Sequence, residues 1–294
     1  MKTLFVDRRG YDAGCIQWSG DKGMAQMELG NPNTVYVNQY DSQLLFPIDR
    51  APQRKIQGVP ATLPFTGDDI WTAYEFTCLL TPGKPIALVL EIRVPATAPA
   101  IVESKSMKLY LGSFAGSTYP NLDSALSQIE ADLSAACGAA VRVKRLAEIP
   151  QTVLSGSDDE AQCLDELDVM VPDGGFSAAH LVLKSEASVA VSYYTDLFRS
   201  LCPMTGQPDY ARIRLRWEGG DVDEQGLLRY LLSFREHGEF AEQVAERIFI
   251  DLTKVVKPSR LGVRAEFTRR GGIDINPQRQ MGYDNWEYVR HYRQ

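Results

Sequence analysis

Histidine and cysteine are scarce in this sequence, and neither is clustered. Three histidines (His180, His237, His291) and five cysteines (Cys15, Cys78, Cys137, Cys163, Cys202) are spread over 294 residues. No CxxC pair occurs, and no histidine stands at ligand spacing from a cysteine. A zinc ribbon and a disulfide framework are therefore not written here, and no metal site is expected. No apolar run approaches the ~20 residues needed to cross a bilayer. The opening MKTLFVDRRGYDAGC is charged and lacks a long apolar stretch, so it is not read as a signal peptide. An excess of basic residues is also missing: 31 Lys and Arg stand against 38 Asp and Glu, a net charge of −7. That balance argues against direct nucleic-acid binding through a basic face, though not against a nucleotide-sized ligand in a local basic pocket. Together these absences point to a cytoplasmic protein with no membrane partner.

What is present is hydrophobic pattern. With 44% hydrophobic residues the chain can build one large or two ordinary cores. Residues 1 to 28 lack periodicity and read as an extension. From Asp69 the signals sharpen. The aromatic-rich IWTAYEF leads through TPGK into PIALVLEIRV, where Ile86, Leu88, Leu90 and Ile92 alternate with other residues as in a strand. Leu122, Leu126, Ile129 and Leu133 recur at helical spacing behind Asn121, a candidate cap. VRVKRL reads as a returning strand. The acidic stretch over 151–175, closed by PDGG, reads as a linker. The second half repeats the plan. ARIRLRW places Ala211, Ile213, Leu215 and Trp217 on one face and three arginines on the other. Two helices follow, separated near Gly238, the second with Phe240, Val244, Ile248 and Leu252 four apart. GVRAEFT is then a strand. The expected class is α+β, with a first module over 29–150 and a second over 176–294.

Four segments carry possible chemistry. In VESKSMKLYLGSF, Glu103, Ser104, Lys105, Ser106 and Lys108 crowd a polar segment read as the entry to an aromatic strand; the plain alternative is a solvated strand entry. In SLCPMTGQPDY, Cys202 precedes Asp209 by seven residues. A thiolate is the attacking form of cysteine, and a nearby proton acceptor or cation such as Arg199 makes attack practical near neutral pH. The alternative is an inert, buried cysteine beside a turn. In HGEFAEQ, Glu242 taken alone reads as a surface carboxylate. In TRRGGIDINP, arginine and glycine together can present guanidinium and backbone N–H groups to a phosphate, or simply form a basic turn.

ESKSMKLYLGSF, CPMTGQPD, LLRYLLSFREHGEFAEQ and EFTRRGGIDINPQR, in this order and spacing, resemble the long, two-module form of QueF, the NADPH-dependent nitrile reductase of queuosine biosynthesis. NQYDSQLLFPIDR and DIWTAYEF are similar to that family's N-terminal segments. The likeness runs from about residue 29 to about 280. It implies two tandem tunnelling-fold modules, antiparallel sheets with helices on one face, assembled as a homodimer. It implies reduction of the nitrile of 7-cyano-7-deazaguanine to an aminomethyl group with two NADPH, in tRNA modification. Cys202 would form a covalent thioimide and Asp209 would supply the proton. Val102, Glu103, Ser104, Ala241 and Glu242 would contact the deazaguanine ring, and Ser104, Lys105, Arg270 and Gly271 the cofactor.

The chain departs from the family pattern at one place, where Phe240-Ala241-Glu242 stands for Phe-His-Glu. The family histidine is thought to deliver protons, and Ala241 has none. Two other readings follow: a deazapurine-binding protein without turnover, and a zinc-dependent cyclohydrolase of the same fold.

Overall fold

A computed structural model of the chain describes residues 36–146, 161–283, 286, 288 and 290–294. The extension read over 1–28 and the first part of the acidic stretch, 151–160, lie outside the described residues. A short strand and helix come first, β1 (Pro47–Asp49) and α1 (Ala51–Gln57). The aromatic-rich segment forms β2 (Asp68–Leu80), which returns as β3 (Lys84–Pro95). Then come β4 (Ala100–Val102), α2 (Ser104–Ser113), β5 (Thr118–Tyr119), α3 (Leu122–Cys137) and β6 (Arg142–Leu146). The second half supplies β7 (Gln162–Cys163), β8 (Leu183–Leu201), β9 (Pro208–Val222), α4 (Glu224–Leu232), α5 (Ala241–Val256), β10 (Arg260–Phe267) and β11 (Ile273–Met281).

The main sheet runs in the order β6-β3-β2-β11-β10-β9-β8-β7. Neighbours are antiparallel except β7 with β8. Alternation along each strand decides which side faces the helices. Trp71, Leu90, Ile92, Ile213, Leu215, Trp217, Val263 and Ala265 point to the helix side and are almost fully buried. The other side carries Thr72, Glu91, Arg212, Arg214, Glu266 and Asp274. Helices α2 and α3 close one apolar core over the first strands, while α4 and α5 close another over the second set. This is the antiparallel α+β plan with helices on one face.

Two expectations are corrected. The polar stretch after Val102 is not a strand entry but the start of α2. Glu103 caps that helix: its Oε2 accepts the N–H groups of Lys105 and Ser106, both at 2.8 Å. Met107, Tyr110, Leu111 and Phe114 then fall on one buried face, a 3.6-residue pattern that the alternation of Met107, Leu109 and Leu111 had masked. The acidic stretch read as a linker is, from residue 161, part of the second module. Gln162 and Cys163 pair with Tyr193 and Tyr194 of β8, and Leu164 is fully buried.

The two modules meet along β2 and β11, where Asp69 to Ala73 pair with Pro277 to Ile273. Gly67 permits this approach: it sits at φ +137°, and a Cβ there would fall 2.0 Å from the Gln278 carbonyl oxygen. Behind the seam lies a buried ionic network. Asp69 pairs with Arg50 and Arg279, and Glu246 of α5 pairs with Arg50, Arg54 and Arg279. Arg279 and Asp69 are fully buried and Glu246 is 2% exposed. Removing one partner of such a network leaves charge stranded out of water. Glu246→Ala should therefore cost about 3–5 kcal/mol, read as a lowered denaturant midpoint. Arg142→Ala, which breaks an exposed pair with Asp68, should cost no more than about 1 kcal/mol. Equal losses would mean that the network adds nothing to the seam.

Candidate active site

One cleft on the helix side is lined from both halves of the chain, and most of the residues singled out in the sequence border it: Val102, Ser104, Cys202, Asp209, Ala241, Glu242 and Arg270. Cys202 follows β8 in a tight turn. Its N–H donates to the Gln207 carbonyl and its own carbonyl accepts from Gly206 N–H, both at 2.8 Å. Asp209 begins β9 and faces Ser200 across the hairpin, so the hairpin itself brings the thiol and the carboxyl together. Cys202 is 8% exposed. It is buried, as the plain reading held, yet it borders the cleft. Arg199, considered as its helper, is committed elsewhere, to the Arg235 carbonyl and, at 2.8 Å, to the Glu236 carboxylate.

The start of α5 is laid alongside this hairpin. Leu201 N–H donates to the His237 carbonyl at 2.9 Å, and Glu239 N–H returns to the Leu201 carbonyl at 3.2 Å. Gly238 pairs with Leu201 and separates the preceding 3-10 turn from α5. Glu242, in the first turn of α5, is therefore not a surface carboxylate: it is 2% exposed. No side chain donates a hydrogen bond to it among the described residues. Burial first, then the charge of Asp69, pushes its carboxyl up to about 8. Four residues on, Glu246 shows the opposite: burial is outweighed by Arg279, Arg54 and Arg50, and its carboxyl is held below the usual range.

Glu103 comes from the first half and is 5% exposed. Its N–H donates to the Phe46 carbonyl at 2.9 Å, which ties α2 to the segment before β1. One carboxylate oxygen caps α2, and the other, Oε1, is buried with no partner among the described residues. Glu103, Lys105 and Gly271 are close neighbours of the cleft without lining it; Ser104 and Lys108 line it, four residues apart on one face of α2. Lys108 was noted in the sequence but given no role, because a strand reading hides that pairing. Burial and then the Arg270 charge push its ammonium below the ordinary lysine value, with Glu103 and Asp209 opposing.

Arg270 grips the base of the hairpin. One guanidinium nitrogen donates to the Pro208 carbonyl at 2.5 Å and another lies 3.0 Å from Asp209 Oδ1. Burial lifts the Asp209 carboxyl above its ordinary value, and Arg270, Lys108 and Lys105 pull it back only in part. Glu239 also borders the cleft and was missed. It accepts from Arg247, Gln53 and Gln57, and His237 and Arg247 outweigh its burial to hold its carboxyl at about 2. His237 lies 3.4 Å from Glu239 and stacks on Phe176 at 4.8 Å, away from the cleft lining.

Residues 36–145 match a family model described as nitrile reductase, 7-cyano-7-deazaguanine-reductase N-terminal, and residues 208–286 match one described as QueF-like protein. The NADPH-dependent 7-cyano-7-deazaguanine reductase of Burkholderia thailandensis is 47% identical over 251 residues, covering 84% of this chain and 90% of that protein. The proteins of the same name from Burkholderia ambifaria and Burkholderia mallei are 47% and 46% identical with the same coverage. An apo crystal structure of the archaeosine synthase QueF-Like aligns with a TM-score of 0.29 and 16% identity, over 35% of this chain and all of that one.

The buried Glu242 carboxyl has a thermodynamic consequence. Its folded value of about 8 lies above its ordinary 4.5, so the folded chain holds a proton that the unfolded chain releases. Its effect on stability is absent below about 4.5, grows as a loss while pH rises towards about 8, and then levels off. Glu242→Gln removes that loss. In urea unfolding the variant should gain on the parent as pH rises, by up to about 1.4 kcal/mol per pH unit. Parallel stability curves would show that Glu242 is ionised in the folded chain.

Proposed function

The chain belongs to the QueF family of nitrile reductases, and from that premise we propose that it reduces the nitrile of 7-cyano-7-deazaguanine to an aminomethyl group, consuming two NADPH and two protons, in the cytoplasmic supply of a modified tRNA base. The observation that carries this reading is the buried, partnerless Oε1 of Glu103, together with a buried Glu242 carboxyl that takes no donor from another side chain among the described residues and lines the cleft with a thiol and a carboxyl. Buried polar groups are ordinarily satisfied, and an unsatisfied one costs about 1–3 kcal/mol. A guanine-like edge offers adjacent N–H donors, which a carboxylate accepts in parallel with good geometric selectivity. Val102, Ser104 and Ala241 give the ring its remaining walls.

The chemistry then falls to Cys202 and Asp209. The sulfur bonds to the nitrile carbon and one carbon–nitrogen π bond opens. Asp209 takes the thiol proton and passes it to the nitrile nitrogen, leaving a thioimide on Cys202. A nitrile accepts hydride poorly and a protonated thioimide accepts it well, so covalent catalysis divides a hard step into easier ones. The chain fits NADPH on the side of α2 and the 270–272 turn. Lys105, Lys108 and Arg270 there outnumber Asp209 and Glu103, and this surplus of positive charge suits a phosphate. Ser104 and Gly271 border the same place. NADPH, when bound, supplies the hydrides.

We read Ala241 as a specific impairment of proton delivery. It lines the cleft and packs on the second core without a polar atom, and His237 is turned to Phe176 and Glu239. Capture of the deazapurine without turnover remains the competing reading, on the strength of Ala241 alone. A zinc cyclohydrolase finds no support: among the described residues no group of three or more His, Cys, Asp or Glu could hold a metal.

Mixing the protein with 7-cyano-7-deazaguanine should raise its intact mass by one nitrile, and Cys202→Ala should abolish the rise. Labelling at Cys137 or Cys163 instead would displace Cys202 as the nucleophile. The second measurement is NADPH oxidation. General acid–base help is worth about 100- to 10,000-fold, so Ala241→His should raise turnover by at least about tenfold while changing adduct yield far less. Turnover unmoved by the histidine would mean that another group already delivers the proton.

A further inference from the structure

We infer that Arg270 is a positioning residue for Asp209, holding that carboxyl ionised and aimed at Cys202, rather than primarily a cofactor clamp. The inference rests on the nitrile-reductase reading and deepens it. Arg270 reaches Asp209 from a turn with little freedom. Its N–H donates to the Ile273 carbonyl at 2.9 Å and its carbonyl accepts from Ile273 N–H at 3.3 Å. Gly271 and Gly272 occupy left-handed conformations at φ +57° and +75° that close this turn. The guanidinium then spends two nitrogens on consecutive groups of one strand, the Pro208 carbonyl and the Asp209 carboxylate. Such a fork fixes direction as well as charge.

Asp209 needs both. To accept the thiol proton it must be ionised at the outset, yet burial favours its neutral form. The groups around it are Lys105 and Lys108 of α2, Glu103 just before that helix, Cys202 just past the facing strand, Glu239 and Glu242 ahead of and within α5, and Arg270 itself. Asp274 of β11 borders the cleft but turns its carboxylate to Tyr74 and Arg290 on the other face of the sheet. Three of the groups around Asp209 are acids and one is a thiol. The cations are what hold the proton off, and of them Arg270 acts most strongly on Asp209. Its side chain is 30% exposed, so its removal leaves the core intact. No electron transfer is involved: the arginine acts only on where the thiol proton goes during sulfur–carbon bond formation.

The test is the pH dependence of adduct formation without NADPH, followed by intact mass after rapid quenching with 7-cyano-7-deazaguanine. An opposite charge at this distance shifts a carboxyl by about 1–3 pH units. Arg270→Leu should move the acid limb of the rate upward by that amount, leaving the variant about tenfold or more slower on the limb and near the parent above it. Arg270→Lys keeps the charge and loses the fork, so its limb should stay near that of the parent while its plateau falls. NADPH affinity, measured separately by fluorescence, reads the arginine's share of the phosphate site independently of the limb. An unmoved limb in Arg270→Leu, or a limb moved equally by lysine, overturns the inference. Lost NADPH affinity with an unmoved limb returns the arginine to the cofactor. Absence of any adduct in the parent overturns the nitrile reading itself, which the parent measurement reports on its own. The lysine variant decides the matter if the leucine variant does not fold.

Discussion

The buried charge network around Glu246 is the constraint on which the rest depends. It binds β2 and α1 of the first half to β11 and α5 of the second. Buried ion pairs are weak evidence for stability, because desolvation cancels much of their attraction and apolar groups of the same volume often do as well. Their requirement for full pairing, however, makes them unforgiving of displacement. A slip of β2 along β11 by one residue would carry Asp69 to the other face and strand Arg279 in an apolar core. A rotation of α5 would take Glu246 from three guanidiniums. The network thus fixes the two coordinates that matter for the cleft, the β2–β11 register and the rotation of α5.

Much of this was legible in the sequence, and the failures share a cause. Period-two alternation in β2, β3 and β9 and four-residue steps in α3 and α5 lie along single elements, where sequence spacing reports structure directly. The Cys202–Asp209 pair was legible for the same reason, since a hairpin turns short sequence separation into proximity. What escaped was everything decided by a partner from elsewhere. Glu242 looks like a surface residue until β2, α1 and β11 close over it. Nothing in the spacing of Arg270 shows that it reaches Pro208 and Asp209 across the hairpin. The stretch from residue 161 looks like an acidic linker because the strand it pairs with, β8, begins about twenty residues later. For α2 the error was local: Glu103 was read as a charge on a strand when it was a cap.

The cleft differs from the rest of the interior in how its polar groups are satisfied. Glu239 takes donors from three side chains, and Glu246 from three arginines. Glu242 lies between these two in sequence and is held by neither set. Helix geometry explains the contrast. Residues four apart share a face but stand one turn, about 5.4 Å, apart along the axis, enough to carry Glu242 out of hydrogen-bond reach of the arginines that saturate Glu246, although the charges of Arg50 and Arg279 still act on it. The same anchoring that pins α5 therefore leaves the carboxyl at its first turn without a donor from another side chain among the described residues. Position 241 sits one residue nearer the end of the helix. Ala241 lines the cleft beside Glu242 and takes no part in the ionic network, so what anchors α5 and what faces the cleft at its first turn are different residues.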